Sequence, residues 1–117
     1  MIVAMQEDAD ILILMLRGQL DGTTVASAEP DMMKAAALRR GTVLDLSELT
    51  YVASVGLRLI ILLAKRLSQS GQRLALCGLQ PQVEEVFEIG GFTSLLSLLG
   101  TRRDAIAFVQ GQEGPAQ

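Results

Sequence analysis

The 117-residue chain predicts a single α/β domain with a mixed, mainly parallel sheet of four to five strands and about four helices packed largely on one side. Three observations lead there. Short apolar runs at Ile11–Leu16, Thr42–Leu46 and Arg73–Cys77 alternate with segments of helical period. Glycines at 41, 71, 78 and 90–91 punctuate the changes of period. The first two apolar runs, Ile2–Met5 and Ile11–Leu16, are too close for a crossover helix, so one edge of the sheet is antiparallel.

Each element has a local reason. Ile2–Met5 reads as a first strand, ended by the polar residues Gln6–Asp10. Ile11–Leu16 is apolar at consecutive positions, which fits a strand buried on both faces. Ser27 as N-cap would place Pro30 in the first turn of the next helix, where its missing N–H does no harm, and Gly41 would close that helix after Leu38. Thr42–Leu46 is a third strand, and Ser47–Thr50 reads as the turn after it. From Gly56 to about Ser68, Gly56, Ile60, Leu63 and Leu67 share one helical face, while Arg58, Lys65 and Gln69 share the other. Gly71 stops that helix, and Arg73–Cys77 follows as a strand ended by Gly78. Pro81 opens a short helix over Gln82–Ile89, with Glu84 and Glu85 near its positive end. Leu95–Leu98 predicts a short edge strand. Thr101 with Asp104 resembles a capping box for a last helix whose Ile106 and Val109 face inward. The domain is expected over residues 1–110, with Gly111–Gln117 a flexible polar tail.

Composition narrows the function. Half the residues are hydrophobic but only 3% are aromatic, so the core is aliphatic. The chain has no His, which removes the commonest general base and metal ligand. Cys77 is the one cysteine, so neither an intrachain disulfide nor a Cys-rich zinc site is expected. A net charge of −3 argues against a nucleic-acid partner, and Arg39-Arg40 and Arg102-Arg103 are too small to reverse that. No apolar run reaches the ~20 residues of a membrane span, and the N-terminus lacks the basic region of a signal peptide, so no membrane association and a cytoplasmic location are expected. Gly18–Gly22 does not form G-x-G-x-x-G, and no phosphate-loop motif occurs, so no cofactor is expected.

The chemistry that remains centres on Ser54, where the run Thr50–Val52 gives way to the long helix. A hydroxyl there lies beside the free N–H groups of a helix N-terminus, contributed by Val55, Gly56 and Leu57, which favour negative charge. Its simplest role is an N-cap. Its sharper role is a phosphoacceptor, since a phosphate at a helix N-terminus is well tolerated. Asp21 and Asp45 lie at expected strand exits and read as cap or turn residues. A hydrolase using Ser54 with Asp21 or Asp45 is the competing class, weakened by the lack of His. Leu62 falls among Arg58, Lys65 and Gln69 on the polar face, where it either lies under a neighbouring element or contacts a partner. Cys77 reads as a buried strand-end residue.

The order Gly18-Gln19-Leu20-Asp21, Val43-Leu44-Asp45-Leu46-Ser47, Ala53-Ser54-Val55-Gly56-Leu57 and Arg73–Leu79 resembles the STAS domain family, over about Ile11 to Val109. The branch it is most similar to is the anti-sigma factor antagonists, and Val86-Phe87-Glu88-Ile89-Gly90-Gly91-Phe92 is similar to that family's late helix and its exit. The resemblance implies a protein-binding module, not an enzyme, that binds a serine kinase/anti-sigma factor with an ATPase fold. Phosphorylation of Ser54 would release that partner, and a PP2C-type phosphatase would restore the serine. Ala53 and Val55 depart from the family's Asp-Ser-Ser-Gly motif, whereas Gly56 and Leu57 match it. Asp21, Gly22, Thr23, Ala53, Arg58 and Leu62 are the expected partner contacts. A non-switching STAS scaffold, in a stressosome or a lipid-transport complex, is the alternative within the same fold.

Overall fold

Consecutive apolar residues at 11–16 are buried on both sides of a sheet, as their pattern requires. The computed structural model describes residues 2–8, 10–91 and 96–111. In chain order these form β1 (Ile2–Asp8), β2 (Ile11–Leu20), α1 (Gly22–Ala37), β3 (Gly41–Val52), α2 (Ser54–Gln69), β4 (Arg73–Cys77), α3 (Pro81–Ile89), β5 (Leu98–Leu99) and α4 (Arg102–Val109). The strands lie in sequence order, with β1 antiparallel to β2 and the remaining neighbours parallel. Leu12, Leu14, Leu16, Leu44, Leu46 and Leu76 face α1, α2 and α3 in the main core. Ile11, Ile13, Val43, Ala75 and Cys77 face Ala105 and Val109 of α4 on the other side. Alternation along β2, β3 and β4 thus feeds two cores, the larger under three helices. Among the described residues no helix is long and apolar enough to cross a membrane.

Several boundaries differ from expectation, each for a tertiary reason. The N-cap of α1 is Asp21 rather than Ser27: its carboxylate accepts from the N–H groups of Thr23 and Thr24, and Thr24 Oγ1 accepts from Asp21 N at 2.8 Å. Pro30 therefore lies inside the helix. Both Pro30 and Ala26, whose carbonyl loses its intrahelical donor, are exposed, so that carbonyl is not left in the core. Gly41 does not close α1. It opens β3 and is needed there for packing, because a Cβ would meet Val109 Cβ at 2.8 Å.

Residues Ser47–Thr50 form no turn. They continue β3, which stays paired with β2 through Arg17–Glu48, Gly18–Leu49, Gln19–Tyr51 and Leu20–Val52. Register shifts after Met15 and Gly18 absorb the extra residues, and Gly18 takes φ +85° at the second of them. α2 begins at Ser54, two residues before the predicted start, and ends in a Schellman turn: Gln72 N donates to Leu67 O and Gly71 N to Ser68 O, with Gly71 at φ +74°. The late edge strand is Leu98–Leu99 instead of Leu95–Leu98, and Leu95 lies outside the described residues, as do Phe92 and the tail beyond Gly111. Thr101 caps α4 as predicted, accepting from Asp104 N at 3.1 Å.

Candidate functional site at the N-termini of the first two helices

β2 and β3 end side by side at Leu20 and Val52, and Ala53 N extends their pairing by donating to Leu20 O at 2.9 Å. The next residue of each chain segment starts a helix. This brings Asp21, Gly22 and Thr23 at the head of α1 beside Ala53, Ser54 and Val55 at the head of α2. The sequence reading named all six, and pairing of strands about thirty residues apart is what collects them.

Ser54 is exposed, and it occupies the first helical position rather than the cap. The N-cap is Ala53, which offers no side-chain acceptor. The first turn of α2 contains no acidic residue either. Its leading N–H groups, those of Ser54, Val55 and Gly56, therefore lack intrahelical acceptors and leave the positive end of the helix uncompensated, whereas the N–H of Leu57, expected among them, already donates to Ala53 O at 3.0 Å. The contrast with α1 is direct, since Asp21 already neutralises that N-terminus.

Gly56 fixes how closely this site sits on the sheet. A Cβ at Gly56 would lie 2.6 Å from Leu20 O and 2.7 Å from Leu20 Cγ. Close packing of α2 on the end of β2 therefore requires a glycine here. Leu57 is buried beside it, and Arg58 projects into solvent one turn after Ser54.

Between α2 and α3 runs a groove of about 440 Å³ lined by Ser54, Leu57, Arg58, Ile61, Val86, Ile89 and Gly90. Ile89 stands 80% exposed at its rim, and Val55 is exposed nearby on α2. Sequence reasoning missed Ile61 and Ile89 as surface residues. The usable signal was an Ile at the very end of a short helix, just before Gly90-Gly91, where no further turn can cover it. Leu62 is 37% exposed, so no neighbouring element covers it fully, and it does not line the groove.

Asp45 is not brought to Ser54. It lies inside β3, seven residues before the strand end, which corresponds to roughly 20 Å of extended chain. Nor is it a helix cap. Its carboxylate accepts from Ser47 N at 3.0 Å and from Arg102 Nη2 and Nε at 2.7 and 3.0 Å, which ties α4 to the sheet. Burial alone would raise this carboxyl, but hydrogen bonds from Ser47 and Arg102, with the Arg102 charge, outweigh it and hold it below its ordinary value. Cys77, opposite Asp45 on β4, is buried as expected. Burial, reinforced by the Asp45 charge, pushes its thiol up to about 11.

The STAS domain family model matches residues 3–105. A Bordetella bronchiseptica protein named as an anti-sigma factor antagonist, BtrV, is 40% identical over 100 residues, covering 83% of this chain and 84% of that protein. An anti-sigma factor antagonist from Mycobacterium paratuberculosis superimposes with a TM-score of 0.83 at 19% identity, covering 92% of both chains. The Bacillus cell-fate determinant SpoIIAA in its phosphorylated form superimposes with a TM-score of 0.68 at 22% identity, covering 91% of this chain and 99% of that one. An α/β domain of this strand order, matched by the family model over nearly its whole length, belongs to the STAS domain family, in which its relatives are named anti-sigma factor antagonists.

Proposed function

We propose that the protein is an anti-sigma factor antagonist switched by phosphorylation of Ser54. The unphosphorylated form binds a serine kinase/anti-sigma factor with an ATPase fold, in the cytoplasm. That kinase transfers the γ-phosphoryl group of ATP to Ser54 Oγ, the hydroxyl proton leaves, and ADP departs. The phosphorylated form no longer binds, and a PP2C-type phosphatase restores the hydroxyl. The protein acts throughout as binding module and substrate.

One observation carries this reading: Ser54 is exposed at an uncapped, uncompensated helix N-terminus, on the rim of a groove that leaves Ile89 in water. A phosphate adds roughly −1.5 to −2 charge there without burial cost, so its effect falls on the partner surface rather than on the fold. The relative named as an anti-sigma factor antagonist at 40% identity supports the role, and the phosphorylated SpoIIAA supports phosphate as a covalent state compatible with this fold. Asp21, Gly22, Thr23, Ala53, Arg58 and Leu62 are the proposed partner contacts, with Ile89 added by the groove. A scaffold in which Ser54 serves only as a cap is disfavoured, because Ala53 holds the N-cap position and Ser54 is the first residue of the helix. A Ser54–Asp45 hydrolase is disfavoured by their separation along β3.

The test is incubation with ATP and purified serine kinases of ATPase fold from the same cell, followed by phosphopeptide mapping. Phosphate on Ser54 and loss of kinase binding on its appearance are expected, with Ser54→Ala unmodified and still bound. Undiminished binding by both the phosphorylated protein and Ser54→Asp would refute the switch.

A further inference from the structure

Arg58 follows Ser54 by four residues on α2, and both side chains line the groove between α2 and α3. That spacing puts their Cβ atoms about 5–6 Å apart on one helix face, and an anion at the first position with a cation at the second is the favourable order. Arg58 is exposed and, among the described residues, makes no ion pair or side-chain hydrogen bond. Other arginines are engaged: Arg17 with Glu48, Arg39 with Glu7, and Arg102 with Asp45. Among the described residues, Arg58 is also the sole ionisable residue lining the groove. Nearby acids do not compete for it: Asp21 caps α1, and Glu85 and Glu88 of α3 are exposed and outside the lining.

Resting on Ser54 as the phosphoacceptor, we infer that Arg58 is the internal counter-ion of the phosphorylated side chain, drawn across the mouth of the α2–α3 groove by the phosphoryl oxygens. A guanidinium and a phosphoryl group match as a bidentate pair. The pairing does two things at once. It takes from the surface the cation that Arg58 offers a partner at the groove, and it lays a charged pair over the apolar floor formed by Leu57, Ile61 and Val86. Phosphorylation thereby acts through a second residue in addition to its own bulk and charge. Neither backbone nor sheet has to move.

The test installs phosphoserine at position 54 during translation, so the pair is measured whether or not a kinase uses the site. Phosphorus NMR follows the second phosphate ionisation, ordinarily near about 6, in the otherwise wild-type protein, Arg58→Gln and Arg58→Lys. The wild-type midpoint is expected to lie roughly half a unit below that of Arg58→Gln, a small effect because the pair is exposed. Arg58→Lys should fall between them, and high salt should erase the difference. Equal midpoints in all three proteins at low salt would overturn the inference. Thermal midpoints of the same Arg58 variants without the phosphate, expected to be unchanged, separate this pairing from a structural role of Arg58. A failure of kinases to modify Ser54 would count against the proposed switch and would leave these midpoints as they are.

Discussion

Replacing Gly56 with alanine adds one methyl group where the first turn of α2 meets the end of β2. In an exposed helix interior that change stabilises by about 1 kcal/mol, since alanine is the better helix former. Here the new Cβ would stand 2.6 Å from Leu20 O, about 0.8 Å inside the 3.4 Å at which ordinary contact begins. The carbonyl has no freedom to retreat, because it accepts the Ala53 N–H at 2.9 Å and belongs to a fully buried residue. Leu20 Cγ, at 2.7 Å, blocks the other direction. Overpacking of this kind costs roughly 1–3 kcal/mol, and a contact this short with a held backbone oxygen belongs in the upper part of that range, so after the propensity gain the variant should be less stable by about 1–2 kcal/mol. Each kcal/mol lost lowers the thermal midpoint by roughly 4–8 °C, read by far-ultraviolet circular dichroism. Gly22→Ala is the control, since nothing lies within 4 Å of its Cβ and α1 already has its helical path. Its stability should be equal or up to about 1 kcal/mol higher. A Gly56→Ala protein as stable as Gly22→Ala would refute the close seating of α2, and with it the placement of Ser54 against the end of β2.

Four further outcomes follow from the same geometry. Ser54→Ala should leave the thermal midpoint unchanged, and Ser54→Asp should match it or stabilise the fold by up to about 1 kcal/mol, because an anion suits the positive end of α2. Asp21→Ala should cost about 1–2 kcal/mol in urea unfolding, since it frees the Thr23 and Thr24 N–H groups together. The folded carboxyl of Asp45 titrates below its ordinary 3.8, so the stability it contributes is complete above that value and is lost as pH falls below it. Arg102→Gln should therefore move the acid-unfolding midpoint upward, a shift checked by circular dichroism against pH. Cys77, buried and with its thiol at about 11, should resist thiol reagents at neutral pH in the folded protein and react at once in denaturant.

The fold class was legible because its signals are local. Double-sided burial of Ile11–Leu16, the helical face Gly56-Ile60-Leu63-Leu67 and the glycine stop at 71 each depend on a few neighbouring residues. Where two local solutions were equally good, the sequence could not choose. Ser27 and Asp21 are both competent N-caps. Asp21 takes the role because β2 runs on to Leu20, held there by the end of β3. Ser47–Thr50 has turn-like composition but stays extended because β2 supplies its hydrogen bonds.

The site divides along the same line. The sequence by itself determined that Ser54 stands at a strand–helix junction without a histidine, a second cysteine or a nucleotide-binding loop to give it another chemistry. The resemblance to the STAS family implied Asp21, Ala53, Gly56 and Arg58 as its company. Tertiary structure decided that Ala53 is the cap and Ser54 is left free, that Asp45 is turned to Arg102 instead, and that Ile61, Val86 and Ile89 make a groove beside the hydroxyl. Periodicity reports which face of a helix is apolar. Only the packing of α2 and α3 on a shared sheet decides how much of that face remains in water.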